Sequence, residues 1–426
     1  MHDKKKVFIV GGGGREHAIA WKLAQSPHVG ELICAPGNAG IARACRCVPV
    51  QADDIEGLTA LAEKERPDLT VVGPEVPLAL GLTDELEALG LRVFGPNKKC
   101  SQLEASKSFT KAFLARHGIP TAQYKEYTDA QSLRNDIGIF GFPMVLKADG
   151  LAAGKGVIIA ENREEAEAAV RELMEDRAFG DAGAKVIVEE LLVGTEASML
   201  CFVDESAIAP MESAQDYKRI GDGDKGPNTG GMGTYSPSLL FDEQTELRVA
   251  EDILLKTLEG FKADGLDFRG ILFVGLMLTA EGPKVIEFNN RFGDPEAQSV
   301  LPRLKTDLYE IFDAACANRL SELSIEWDGE TKAVTVVMAA GGYPGQYRKG
   351  DIIEGLDDLP GYVTVFHAGT KRGENGETLS AGGRVLGVTG LGATHEEARA
   401  RAYEGVGIIT FKDAVFRKDI GIVYNI

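Results

Sequence analysis

The sequence predicts a multidomain α/β and α+β protein in three units: an N-terminal parallel α/β domain at 1–104, a central α+β domain at 105–328 with a mobile lid at about 122–193, and a small C-terminal α+β domain at 329–426. Three observations carry this reading. A chain of 426 residues suits two to four compact units. In the first hundred residues, four short apolar runs separated by helical stretches each close on Gly or Pro, the pattern of a parallel layer. Past about residue 100 the order becomes strand, glycine loop, strand, helix, strand.

Residues 6–10 (KVFIV) read as a buried strand entering the turn Gly11, Gly12, Gly13, Gly14, and 15–25 carry apolar residues at helical spacing. Strands at 32–35, 70–72 and 91–94 end in PGNAG, GPE and GP. Ligands of such sheets sit at the carboxyl ends of the strands, where these turns lie. A helix is expected at 107–117, hairpin strands at 143–147 and 157–160 around a glycine loop, a charged helix at 164–175, and a strand with an acidic end at 185–190. Residues 211–237 read as a long polar loop, which in a compact protein is usually functional. A helix at 240–261 precedes paired strands at 270–278 and 284–288. Beyond a joint at Trp327-Asp328-Gly329, strands are expected at 333–339, 363–368 and 384–388, then an amphipathic helix at 395–405.

Composition narrows the function. Hydrophobic residues are 44% and charged residues 26%, enough for a large core. Basic residues number 46 and acidic ones 65, a net charge of −19. Such a chain binds nucleic acid and anionic membranes poorly, so neither is an expected partner, and any phosphate must be held by local N–H groups and a few placed cations. No run approaches a membrane span, and the apolar stretch VFIV is too short for a signal peptide. Six scattered cysteines read as reduced thiols of a cytoplasmic protein, and Cys45-x-Cys47 lacks the spacing of a zinc site.

The turn after the first strand is not a dinucleotide fingerprint. From Gly11 the third glycine position is Glu16, from Gly12 it is His17, and the second strand ends in Pro36-Gly37 instead of an acidic residue. What remains is a nest of N–H groups at a helix start beside Arg15, suited to one phosphate monoester; the alternative is a tight turn with no ligand. The loop GLAAGKG (Gly150, Gly154, Lys155, Gly156) lacks the length and the Ser/Thr of a Walker loop and joins two strands. It suits a hairpin whose N–H groups and Lys155 cover a triphosphate, with Lys147 as a second cation.

Glu189, Glu190 and Leu192 lie where a strand breaks into a loop, and free backbone groups there can read an adenine edge while a carboxylate such as Glu196 holds a ribose. Solvated acidic side chains are the plainer alternative. Glu287 and Asn289 point to one face of a strand, the hard-oxygen pair that Mg²⁺ prefers, and Arg291 continues that face. Asp216 with Lys218 and Arg219 can hold both ends of a zwitterion, and Asn228 begins a second glycine-rich segment. No Ser-His-Asp or Cys-His arrangement is evident, which leaves carboxylate activation by phosphoryl transfer as the expected chemistry.

These segments resemble one family nearly end to end. GGGGREHAIAWKLAQSP, APGNAG, LEASKSFTKAF, KADGLAAGKGV, VIVEELLVGTEAS, GPNTGGMGTYSP, VIEFNNRFGDPEAQ and GGRVLGVT resemble the glycinamide ribonucleotide synthetases (phosphoribosylamine–glycine ligases) of the ATP-grasp superfamily. The resemblance implies a pre-ATP-grasp domain, an ATP-grasp domain with a lid and a small C-terminal domain. It also implies ATP-dependent joining of glycine to 5-phosphoribosylamine through glycyl phosphate in purine synthesis, with Mg²⁺ or Mn²⁺ and a monomeric form.

Carried over residue by residue, Glu287 and Asn289 fall on the metal ligands, and Lys107, Lys147, Gly154, Lys155 and Gly156 cover ATP. Glu189, Glu190 and Leu192 take the adenine and Glu196 the ribose. Gly12, Gly13, Gly14, Arg15 and Asn38 hold the ribose phosphate. Asp216, Lys218, Asn228, Arg291 and Asp294 complete the substrate pocket, with Arg291, Asp216 and Lys155 in catalytic roles. Tyr217 stands where a His is frequent in the family, and Asn290 where a small or apolar residue is usual. The alternatives are another ATP-grasp carboxylate–amine ligase, or a homologue that binds nucleotide without turnover.

Overall fold

The computed structural model describes residues 4–151, 156–176 and 183–422. The first unit is a five-stranded parallel sheet, Arg46–Cys47, Val29–Pro36, Lys5–Gly11, Leu69–Val72 and Val93–Phe94 in that order. Both faces are covered, which is why its strands read as unbroken apolar runs. Phe8, Val10, Ile33 and Ala35 face the helices Ile55–Glu65 and Leu82–Ala88 through Leu58, Ala62, Leu82 and Leu86. Val7, Ile9 and Cys34 face a second core that also holds Phe202, Ile271, Phe292 and Phe312. The first unit is therefore fused to the middle of the chain through a shared apolar core. Strand order reverses at Lys5–Gly11, so the turns after this strand and after Leu69–Val72 flank one crevice.

The central body is an antiparallel sheet, Ile208–Pro210, Thr195–Val203, Gly270–Thr279 and Gly282–Asn289. The lid is a second antiparallel sheet, Tyr124–Tyr127, Val186–Glu190, Met144–Ala148 and Val157–Ala160. Met144, Leu146, Ala148, Val186 and Val188 pack under the helices Ala130–Asn135 and Arg163–Val170. Strand alternation then turns Lys147 and Glu189 to the opposite face. The expected helix at 240–261 is observed as Glu243–Val249, a π segment Ala250–Leu255, and Lys256–Asp264.

The third sheet corrects the reading of 211–237 as a loop. Its order is Gln215–Asp216, Gly233–Ser236, Lys332–Ala339, Arg384–Gly392 and Val363–His367, so two of its strands come from the supposed loop. A further hairpin pairs Arg219–Gly221 with Lys225–Asn228. Gly233–Ser236 is buried throughout yet polar: Ser236 Oγ donates to Ser213 O at 2.8 Å, and the Thr234 and Ser299 hydroxyls lie 3.4 Å apart. Satisfied hydroxyls took the place of the apolar pattern that would have marked a strand. At the joint near residue 328, buried Arg303 donates to Asp328 O and Thr331 O, which pins the connection. No helix among the described residues is long and apolar enough to cross a membrane.

Candidate active site

The three sheets and the lid meet at a cleft whose charged groups come from all of them. Lys107 opens the helix Lys107–Arg116, a position where the helix dipole disfavours a cation, and its Nζ donates to Gly150 O at 2.9 Å. Burial and neighbouring Lys147 draw its pKa down, against the pull of Glu287. One helical turn on, Lys111 reaches Glu189 Oε2 at 3.0 Å, and Lys147 reaches the same oxygen at 3.0 Å. Burial pulls Lys111 down to about 8, with Glu189 opposing. Sequence reasoning missed Lys111, although its i+4 spacing from Lys107 was a usable signal.

Glu287 and Asn289 leave one face of the strand Gly282–Asn289, as expected from the alternation, and Glu287 is open to solvent in the cleft. Partial desolvation by the cleft walls would raise the Glu287 pKa, but Lys218, Lys147 and Lys107, with the neighbouring Asn289 amide, outweigh this and hold it below the usual value. An ionised carboxylate and an amide oxygen side by side fit a hard divalent cation. Among the described residues no cluster of three or more His, Cys, Asp or Glu side chains is arranged around a metal position, so such a cation would take its other ligands from phosphate and water. Arg291, just past the strand, donates to Asn289 Oδ1 at 2.9 Å and pairs with Glu104 at 3.1 Å and Glu75 at 3.5 Å. Asn290 turns the other way, donating to Cys100 O at 3.3 Å.

Glu196 and Lys218 are brought together at 3.0 Å, and with Asp216, Ser198, Gly275 and Glu287 they line one cavity. Asp216 carries a buried Oδ1 with no hydrogen-bond partner among the described residues. Burial and the neighbouring carboxyl of Glu296 push it well above the usual range, against Lys218 and Arg384; burial raises Glu296 as well. Two carboxyl groups facing each other in a desolvated site cannot both ionise without a cation between them. Tyr217 points away from this cavity, taking Gly421 N–H at 3.1 Å beneath the Arg417 guanidinium.

The glycine turn is not the open nest its sequence suggested. Gly13 N–H donates to Glu16 Oε2 at 2.5 Å and Arg15 N–H to Asp294 Oδ2 at 3.3 Å, so two of its donors already face carboxylates. Burial pushes the Glu16 carboxyl up to about 7, with Arg15 opposing. Burial would raise Asp294 too, but Arg384 and Arg15 hold it below the usual range. Arg15 also faces Glu75 at 3.5 Å, so Glu75 sits between Arg15 and Arg291 across the crevice. Asn38 is fully used within the fold: its amide donates to Gly12 O and His367 O and accepts from Gly40 N and Ile41 N. It buckles two domains together instead of presenting a free amide to a ligand.

The remaining expected residues are more dispersed. Glu190 Oε1 accepts from Gln123 N at 3.0 Å, Leu192 is half-buried in the loop after the strand, and Gly156 O accepts from Ala148 N. Asn228 stands exposed on the outer hairpin, opposite Arg219. Gly154 and Lys155 lie outside the described residues. The C-terminal sheet contributes a residue that the sequence did not single out: Arg384 donates to Gly230 O at 2.6 Å and to Asp294 O at 2.5 Å, tying the loops at Gly230 and Asp294 to the third sheet.

Family models cover the chain in order: the phosphoribosylglycinamide synthetase N domain at 5–104, its ATP-grasp (A) domain at 105–297 and its C domain at 333–423. A phosphoribosylamine–glycine ligase of Xanthomonas axonopodis pv. citri is 51% identical over 419 residues, covering 98% of this chain and 97% of that protein. The trifunctional purine biosynthetic protein adenosine-3 of Gallus gallus is 52% identical over 421 residues, 98% of this chain but only 42% of that longer protein. The crystal structure of a phosphoribosylamine–glycine ligase from Thermotoga maritima superposes with a TM-score of 0.85 at 35% identity, over 97% of this chain and 99% of that one. With all three domains matched in sequence order and half of the residues shared with a relative over nearly its whole length, the chain belongs to the phosphoribosylglycinamide synthetase family.

Proposed function

We propose that the chain joins glycine to 5-phosphoribosylamine, using ATP and yielding glycinamide ribonucleotide, ADP and phosphate in purine biosynthesis. The observation that carries this is a single cleft in which the Glu287–Asn289 pair, the cations Lys107, Lys147 and Lys218, and the buried carboxyls of Asp216 and Glu296 converge. Lysines on one side suit the phosphates of a nucleotide. A carboxyl pair on the other suits an ammonium group, so glycine would enter with its carboxylate toward the phosphates.

In the first step a glycine carboxylate oxygen forms a bond to the γ-phosphorus as the bond to the β-phosphate oxygen breaks, giving glycyl phosphate and ADP. In the second, the amine of phosphoribosylamine bonds to the acyl carbon, loses a proton, and phosphate departs. No side chain acts as nucleophile; the protein positions the reactants and balances charge. Lys107 and Lys147 hold the phosphates in line, and Lys218 neutralises charge between Glu196 and Glu287. Lys155 is assigned to the nucleotide's phosphates, Arg291 orients Asn289, and the backbone of the segment from Glu189 to Leu192 takes the adenine. The crevice between Arg15 and Asp294 receives the phosphoribosyl group, where a phosphate competes with Asp294 for the helix start. A bound Mg²⁺ or Mn²⁺ at Glu287 and Asn289 would screen the phosphate oxygens. The protein acts as a cytoplasmic monomer on small molecules, without nucleic acid or membrane.

The test is phosphate release from ATP by the purified chain. Release is expected only when glycine and phosphoribosylamine are both supplied. Comparable release with formate or bicarbonate in place of glycine would point to a different ATP-grasp ligase, and tight ATP binding without turnover on any acid to a nucleotide-binding homologue.

A further inference from the structure

Lys107 and Lys111 leave the same face of the helix Lys107–Arg116, yet only Lys107 opens directly onto the loop after Met144–Ala148. Lys111 lies deeper, 3% exposed, and donates to Thr121 Oγ1 at 2.8 Å with its ammonium 5.8 Å above the Tyr124 ring. Thr121 passes the contact on, donating to Val285 O at 2.7 Å on the strand that carries Glu287 and Asn289. The other face of the Lys111 ammonium meets Glu189 Oε2 at 3.0 Å, and Lys147 Nζ meets that same oxygen at 3.0 Å. Lys147 and Glu189 are 8% and 3% exposed, so all three charges are more than nine-tenths buried. Glu189 Oε1 is buried with no hydrogen-bond partner among the described residues.

The charge count matters here. A buried Lys147–Glu189 pair alone would be neutral, and its strong mutual attraction would hold Lys147 against the lid sheet. Two lysines sharing one carboxylate oxygen leave a net charge of +1 and a weaker grip on each lysine. Lys111 comes from the central helix, whereas Glu189 and Lys147 come from adjacent lid strands, so the triad also spans the joint between lid and body.

We infer that Lys111 is a positioning residue for nucleotide binding: by competing for Glu189 Oε2 it loosens the Lys147–Glu189 pair and leaves the Lys147 ammonium available to the nucleotide's phosphates. This rests on the reading of Lys147 as a phosphate ligand.

A double-mutant cycle on the full chain, read as the ATP dissociation constant in the presence of Mg²⁺, tests it. Lys111→Met keeps the side-chain volume and removes the charge; it is expected to weaken ATP binding on the order of tenfold and to raise the KM for ATP more than it lowers kcat. Adding Glu189→Gln returns the triad to +1 and should bring the affinity back to within about threefold of the parent. Lys111→Arg, which keeps the charge, should stay within that range too. The inference is overturned if Lys111→Met binds ATP like the parent, or if the double variant binds no better than Lys111→Met. Should Lys111→Met not fold, a tenfold loss in folded Lys111→Arg overturns it equally, and parental affinity there with recovery in the double variant supports it. Lys147→Met separates the two readings: unchanged ATP binding in that variant removes Lys147 from the phosphates, whereas loss there with none in Lys111→Met removes only the role given to Lys111.

Discussion

Asn289 Oδ1 accepts a hydrogen bond from Arg291 Nη2 at 2.9 Å, so the amide oxygen assigned to a metal is already aimed by a guanidinium. Arg291 is itself gripped by Glu104 and Glu75, which neutralise it and leave it with little freedom. Asn289 is thus fixed in orientation beside Glu287, the kind of support by which neighbouring groups orient ligands around a metal.

Glu287→Gln should therefore abolish turnover without unfolding the protein. The side chain is open to the cleft and contributes little packing, but it is the only carboxylate of the proposed cation site. A loss of at least about a thousandfold in phosphate release is expected, with the melting curve unchanged. Near-parental activity would remove the cation from this strand.

Asp216→Asn should act on glycine and spare ATP. The variant keeps the shape of the side chain but removes half of the carboxyl pair proposed to receive an ammonium. Losing a charge-assisted contact of this kind amounts to about 2 kcal/mol or more, a rise of some thirtyfold in the KM for glycine. The KM for ATP should move by less than about threefold. Initial rates against each substrate separate the two, and an ATP effect as large as the glycine effect would place Asp216 elsewhere in the reaction.

Gly231 has φ +113°, a region closed to most side chains. A Cβ there would lie 2.5 Å from Pro295 Cδ and 2.8 Å from Asp216 Oδ1. Gly231→Ala should lower stability by about 2 kcal/mol, read by denaturant unfolding, and weaken glycine as Asp216 is displaced. An unchanged glycine KM in a destabilised variant would show that the loop tolerates the methyl group by moving away from Asp216.

How much of this was legible in the sequence depended on local pattern. The parallel layer was, because strands buried on both faces spell themselves as runs such as VFIV. The Glu287–Asn289 pair was, because strand alternation is strict. The strands at Gln215–Asp216 and Gly233–Ser236 were not: two to four residues carry no period, and buried Thr234 and Ser236 are satisfied by hydroxyl bonds instead of apolar packing. The long-range bond from Asn38 to His367 O was not legible either, because no local pattern in the turn announces a partner 329 residues away. Arg384, Glu75 and Glu104 join the site from separate elements, and no spacing within one segment announces such a meeting.

Glu16 offers a pH test of the glycine turn. Its ordinary pKa of 4.5 is raised to about 7 by burial, so the folded protein holds this proton more tightly than the unfolded chain does. The stability that it contributes is fully present below about pH 4.5 and is lost as pH rises toward 7, by up to roughly 3 kcal/mol for a shift of this size. Glu16→Gln stays neutral throughout and cannot lose it. The two proteins should melt alike at pH 4.5, and the variant should become progressively the more stable as pH rises to 8. Were the two melting curves to keep a constant offset across that window, Glu16 would be ionised at the lower pH, and the helix start beside Arg15 would carry a full negative charge that any incoming phosphate has to overcome.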